Sequence, residues 1–239
     1  MKGKEYIRLP RTRILPDKRS EMRKLSDDVW KNFIFHHLLR FYKKADLKKI
    51  KILIQDEKKK KRSNIEEVVK KEIKKWLKND LRFNAHEFII NREPSADGGI
   101  DGYYDLKFQH SQWRNKCFPF ECKNLNRTAA CIDEYVYNKS KKDGGVYRYF
   151  TGKYAPGQNF GGMIGFILEG NENEIISKII DRMCVTFRGS KIGKLAKNGI
   201  IKSSIEGNSN TFDSIHLRLQ RECRTGQTFK LHHIFFDMD

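Results

Sequence analysis

Two periods of apolar residues alternate along the 239-residue chain, and the switches between them divide it into helices and strands. Over 27–42, DDVWKNFIFHHLLRFY, the apolar residues Val29, Phe33, Leu38 and Phe41 recur at helical spacing with Trp30 and Leu39 alongside, which predicts an amphipathic helix. Before it, residues 1–25 are basic and broken by Pro10 and Pro16, which predicts a partly extended arm. After it, the charge run EKKKKRS at 57–63 predicts a solvated loop. SNIEEVVKKEIKKWLKND then carries a capping signal, Ser63 or Asn64, followed by two glutamates. Ile65, Val68, Val69, Ile73, Trp76 and Leu77 fall on one face of this second helix. Glu66 and Glu72 lie inside that apolar arc and Glu67 points away, so one helical carboxylate is expected to face the body of the protein.

Three strand candidates follow at 85–93, 99–109 and 117–123, the last two joined by the polar HSQWRN and therefore expected to form a hairpin. A helix around TAACIDEYVYNK precedes a Gly-rich, aromatic and basic stretch, and MIGFILE has the look of a buried strand. NENEIISKIIDRMCV predicts a helix capped by Asn171 or Asn173, and two further strands, FDSIHLRLQ and TFKLHHIFFDM, close the chain. This order predicts an α/β domain built around a mixed sheet over 63–239, with 1–62 as a basic N-terminal arm and helix.

Charge changes the picture. Forty-nine Lys and Arg stand against thirty Asp and Glu, a formal net charge of +19, and the self-repulsion this creates is best relieved by a polyanionic partner. No run of about 18 apolar residues and no signal-peptide core is expected, which sets membranes aside and leaves nucleic acid as the partner. The five cysteines form no close pair, which argues against a zinc knuckle and a secreted disulfide framework and favours a reducing cytoplasm.

The candidate chemistry lies in the hairpin. In GGIDGYYDLKF, Asp101, Tyr103 and Asp105 share one strand face; in FPFECKNLN, Glu121 and Lys123 share another. A turn centred near Ser111 places Asp101 opposite Glu121, and one centred near Trp113 places Asp105 there. In both registers two carboxylates meet with an ammonium beside them, an arrangement that calls for a neutralising cation. Oxygen-only ligands without a nearby Cys or His motif suit a hard ion such as Mg²⁺, and Glu66 or Glu72 is placed to add a third carboxylate.

An acid, a hairpin and then Glu-x-Lys resembles the PD-(D/E)xK nuclease superfamily of restriction-endonuclease-like fold, and SADGGIDG is similar to the GGxD segment of its Mrr-like members. The likeness covers about 63–140 and favours Asp101 over Asp105 as the strand ligand; the long link between Asp101 and Glu121 keeps Asp105 in contention. Many Mrr-like members carry Gln where Glu121 stands. The resemblance implies a restriction-endonuclease-like mixed sheet flanked by helices and a Mg²⁺-dependent DNA endonuclease, with Mn²⁺ as a substitute ion, in restriction or antiviral defence. It implies that Asp101, Glu121 and the backbone carbonyl of Cys122 hold the metal, and that Lys123 orients or deprotonates the attacking water or neutralises charge on the phosphate. Glu66 corresponds to the family's additional helix glutamate. A homodimer, or a motor or sensor protein, is an implied partner.

Each residue also has a plainer role open to it. Asp101 suits a turn after Gly98 and Gly99, Asp105 a surface pair with Lys107, Glu121 and Lys123 a solvent-facing strand pair, and Glu66 a partner for the helix dipole. Arg148, Lys153 and Tyr154, among Tyr147, Tyr149 and Phe150, suit phosphate contact with base stacking, or an ordinary packed loop. His216, His232 and His233 are expected in the core or at a sheet edge. The rival functions are a catalytically silent nucleic-acid-binding subunit of a larger complex and an RNA-cleaving enzyme with the same site.

Overall fold

A computed structural model describes residues 25–91, 104–113, 116–188, 193–202, 210–218 and 227–239. The chain begins with helices α1 (Asp27–Lys44), α2 (Leu47–Lys58), α3 (Ile65–Asn79) and α4 (Leu81–Asn84), then strands β1 (Ile89–Asn91), β2 (Leu106–Gln109) and β3 (Cys117–Leu125). Helices α5 (Ala129–Tyr135) and α6 (Gly145–Phe150), strand β4 (Phe160–Ile167), helix α7 (Glu172–Phe187) and strands β5 (Gly193–Lys202), β6 (Thr211–Arg218) and β7 (Gln227–Asp237) complete it. The seven strands form one mixed sheet in the order β1-β2-β3-β4-β7-β6-β5. The pairs β3/β4 and β4/β7 are parallel and all the others antiparallel.

Helices cover both faces. On one, Phe118, Phe120, Cys122, Ile164, Phe166, Ile234 and Phe236 pack against α1 to α4; on the other, Leu125, Met163, Ile167, Leu231 and Phe235 pack against α5, α6 and α7. β3 lies under both layers and supplies the two faces alternately, so its odd-numbered residues, Glu121 and Lys123 among them, look toward α5 and α6. Ring stacking sets the spacing of the first layer. Phe35 of α1 stands 5.6 Å from Phe118 and 5.7 Å from Phe120. Glycines let rings come close on β4: a Cβ at Gly162 would lie 2.3 Å from the Phe120 ring, and one at Gly161 would lie 2.3 Å from that of Tyr149.

Several expectations shift. The first helix presents Trp30, Ile34, Phe35, Leu38 and Phe41 to the core and leaves Val29 exposed, because the face is wider than the apolar stripe first read and takes in Ile34 and Phe35. It shares the core of the sheet rather than standing apart in an extension. Residues 47–58, read only as the approach to a charge run, form α2, capped by Asp46, whose side chain accepts from the Lys49 amide at 3.1 Å. The Gly-rich aromatic stretch contains α6, and β5 was not foreseen. The strands expected at 85–93 and 99–109 are seen as 89–91 and 106–109; residues 92–103 lie outside the described residues.

The three histidines are core residues, as expected. His233 bridges Tyr135 (2.9 Å) and Ser214 (2.7 Å), and Ser214 in turn meets His216 at 2.7 Å, beside Phe150. His232 pairs with Asp213 at 2.8 Å. Burial holds His216 far below its ordinary value and His233 down to about 3, despite the Asp213 charge. Both imidazoles are therefore neutral in the folded chain and protonate on unfolding below the ordinary histidine value, so the unfolded state binds more protons there. Stability should be flat above about pH 7 and fall as the pH drops below about 6.5, by up to about 1.4 kcal/mol per pH unit for each imidazole. Urea unfolding at pH 7.5 and 5.5 measures this, and His216→Phe should reduce the slope.

Candidate active site on the central strand

The β2–β3 hairpin decides which acid meets Glu121. Leu106 pairs with Phe120 and Gln109 with Cys117, so the turn centres on Trp113. One step beyond the paired residues, Asp105 faces Glu121, and its amide donates to the Phe120 carbonyl at 3.1 Å. Asp101, the residue the family likeness favoured, lies outside the described residues. Asp105 does not pair with Lys107, which is buried with its ammonium 5.9 Å from the centre of the Tyr104 ring. Instead its Oδ1 accepts from Lys70 of α3 at 2.7 Å and its Oδ2 accepts from the Cys122 amide at 2.7 Å.

Glu121 is not a solvent-facing strand residue: it is 1% exposed. Its Oε1 accepts from Lys123 and from Arg148, both at 2.7 Å. Burial, reinforced by Asp105, pushes its carboxyl up to about 7 even though Lys123 and Arg148 oppose this. Burial alone would lower Lys123; Glu121, with Glu66 and Asp105 behind it, outweighs that and holds the ammonium above its ordinary value. The two shifts agree once Glu121 is ionised, and then Lys123 is firmly a cation.

Glu66 is brought to the same place by α3, whose first turn is fixed by Asn64: its side chain accepts from the Glu67 amide at 3.3 Å, and its own amide donates to Glu57 at 3.0 Å. Glu66 reaches across to β3, where its Oε1 accepts from the Asn124 amide at 3.1 Å, so it is more than a partner for the helix dipole. Burial raises its carboxyl, with Lys123 acting against it. Glu72 is elsewhere, lining a groove with Arg40 and Trp76. Glu67, expected to point away, is 16% exposed at its side chain and lies 3.5 Å from Lys70.

No family model, curated protein or solved structure matched the chain in comparison. The geometry therefore carries the reading of the site by itself.

The acids present only oxygen donors, the chemistry a hard divalent ion takes, and Mg²⁺ commonly rests on one or two carboxylates plus substrate phosphate and water. Asp105 and Glu121 fit that role, with the Cys122 carbonyl on the strand between them; the Cys122 side chain faces the apolar core, as expected. Among the described residues no three His, Cys, Asp or Glu groups converge on one point, because Lys70, Lys123 and Arg148 interleave with the acids.

The aromatic-basic stretch divides. Arg148 reaches Glu121, whereas Lys153 is half-buried on the loop after α6. Tyr154 is 2% exposed, its hydroxyl accepting from Arg148 at 3.1 Å, so its ring is not offered for base stacking; packing against Tyr104 and Tyr149 takes it into the core. Three residues escaped the sequence reading. Lys70 was legible in principle, since it lies four residues after Glu66 on the same helical face. Asp143, which grips Arg148, and Arg218 were not. Arg218, fully buried, donates to the carbonyls of Tyr154 (2.8 Å), Ala155 (2.9 Å) and Gln158 (3.1 Å) and so holds the loop that seats Tyr154.

Removing one partner of a buried ion pair strands the other. Lys70→Ala should destabilise the fold by on the order of 3 kcal/mol. Adding Asp105→Ala should recover more than half of that in urea unfolding, since no uncompensated carboxylate is then left. A double variant as unstable as the sum of the two singles would show that the pair is not coupled.

Proposed function

We propose that the chain is a divalent-cation-dependent nuclease of restriction-endonuclease-like type that hydrolyses phosphodiester bonds in DNA. One observation carries this reading: Asp105 and Glu121 face each other across β2 and β3, with Lys123 on Glu121 and Glu66 brought in from α3. An acid, a hairpin, Glu-x-Lys and a helix glutamate are the residues expected of that superfamily, with Asp105 in the strand position. The +19 charge supplies the attraction for a polyanion.

Asp105 and Glu121 would hold the ion, which polarises the phosphate and lowers the pKa of a bound water. Glu66, next to the amide of Asn124, is placed to orient that water. A water oxygen attacks phosphorus, the bond from phosphorus to the leaving sugar oxygen breaks, the water's proton passes to solvent, and the leaving oxygen takes up a proton from solvent. Lys123, held as an ammonium by the surrounding acids, donates to the phosphate oxygens as charge builds there. This selects charge neutralisation among the roles open to that lysine.

The interleaving of cations with acids also favours a second reading, a silent nucleic-acid-binding subunit whose carboxylates are permanently paired. The two part on magnesium. In a plasmid assay the parent should cut with Mg²⁺ and not with EDTA, and an RNA of matched length tests the alternative substrate. Lys123→Ala should lose at least about a hundredfold in rate while binding duplex within about twofold of the parent. Asp105→Asn should behave in the same way. A Lys123→Ala protein that cuts as fast as the parent would rule the mechanism out, and steeply salt-dependent binding without cleavage would favour the silent subunit.

A further inference from the structure

Beside Lys123 a cavity of about 160 Å³ opens between β3, the turn after α5 and the start of α6, lined by Lys123, Asn138, Lys141, Asp143, Gly144 and Arg148. Its wall is built rather than incidental. Asp143 grips the Arg148 guanidinium at two points, Oδ1 to Nε at 2.9 Å and Oδ2 to Nη2 at 2.6 Å. Gly144 lets the turn close on the end of α5, since a Cβ there would lie 2.7 Å from the Cα of Tyr137 and the carbonyl oxygen of Val136. The third nitrogen, Nη1, donates to Glu121 and to Tyr154. Four of the five N–H donors of Arg148 are thus engaged, and among the described residues the fifth, on Nη2, has no acceptor. Lys123 similarly has three N–H donors and directs one to Glu121. Spare donors of two cations therefore border one small cavity, next to the carboxylate that would carry a divalent ion.

Charge indicates what fits there. Glu66, Asp105, Glu121 and Asp143 stand against Lys70, Lys123 and Arg148, one negative charge in excess. A divalent ion turns this into an excess of one positive charge, or two with Lys153, which faces Asp143. A phosphodiester carries one negative charge. We propose that this cavity is a phosphate subsite, in which Arg148 and Lys123 hold one phosphodiester of the nucleic acid and the divalent ion on Glu121 and Asp105 strengthens the hold. This deepens the nuclease reading and rests on its cation site. Lys141, already paired with Glu134 at 2.6 Å, acts at the rim.

The subsite couples phosphate to cation, and that coupling separates it from the diffuse attraction of a basic surface. The test measures binding of a short fluorescent DNA duplex at fixed ionic strength in Ca²⁺, which supports binding without turnover, and in EDTA. The parent should bind more tightly in Ca²⁺. Arg148→Gln should lose about tenfold in Ca²⁺ and stay within about twofold of the parent in EDTA, the loss expected for a charged hydrogen bond to phosphate. The EDTA arm also reports that the variant is folded; if Arg148→Gln fails to fold, Arg148→Lys, which keeps the charge and loses the fork, should lose about threefold in Ca²⁺ alone. No calcium gain in the parent, a variant that keeps the full gain, or equal losses in both arms would each overturn the subsite. Cleavage in Mg²⁺ reports separately. A parent that shows the calcium gain and its loss in the variant but never cuts keeps the subsite and loses the nuclease; a cutting parent whose variant binds unchanged does the reverse.

Discussion

Glu121 sits in the middle of the central strand with its carboxylate shut away from water, and an ionised group there survives only if cations are delivered to it from several directions. Lys123 comes from the same strand and Arg148 from α6, itself gripped by Asp143 on the preceding turn. Behind Arg148 stands Tyr154, seated by a loop whose carbonyls Arg218 holds from the end of β6. A chain of contacts thus runs from the far half of the sheet to one buried oxygen. The fold around the site is largely what this chain of contacts requires.

The acids and cations of the cluster are not interchangeable with a packed apolar core. A buried ionic group of this kind is weak support for stability, since a well-fitted apolar replacement commonly does as well or better. Here the neighbouring sheet surface is already rich in phenylalanine, and such a replacement would continue it. The placement of carboxylates between two aromatic layers therefore points to chemistry rather than to folding. The histidine network on β6 and β7 makes the contrast: equally buried and polar, it holds neutral groups that satisfy one another and lies apart from any charged partner except Asp213.

Much was legible in residue order. The capping Asn64 and the face of α3 that carries Glu66 could be read from periodicity, and so could the hairpin with Glu121 and Lys123 on one face, because local spacing alone dictates which side chains share a face. The register of that hairpin could not. Shifting a turn by two residues leaves the alternation intact and costs nothing in pattern, so Asp101 and Asp105 were equally admissible opposite Glu121. Aromatic packing of Trp113, stacked on Phe160 at 5.6 Å and bonded through its indole to Asp27 at 3.0 Å, ties the turn where it is. That contact joins three distant parts of the chain and has no local signal.

The sequence by itself determined the α/β character, the strand that bears Glu121 and Lys123, and the excess of positive charge, since each follows from residue type and short-range period. Only the tertiary structure decided that Asp105 faces Glu121, that Lys70 and Arg148 complete the cluster, and that Tyr154 belongs to the core. Those outcomes depend on which surfaces meet when sheet and helices pack, and burial and pairing energies between residues far apart in the chain have no counterpart in its periodicity.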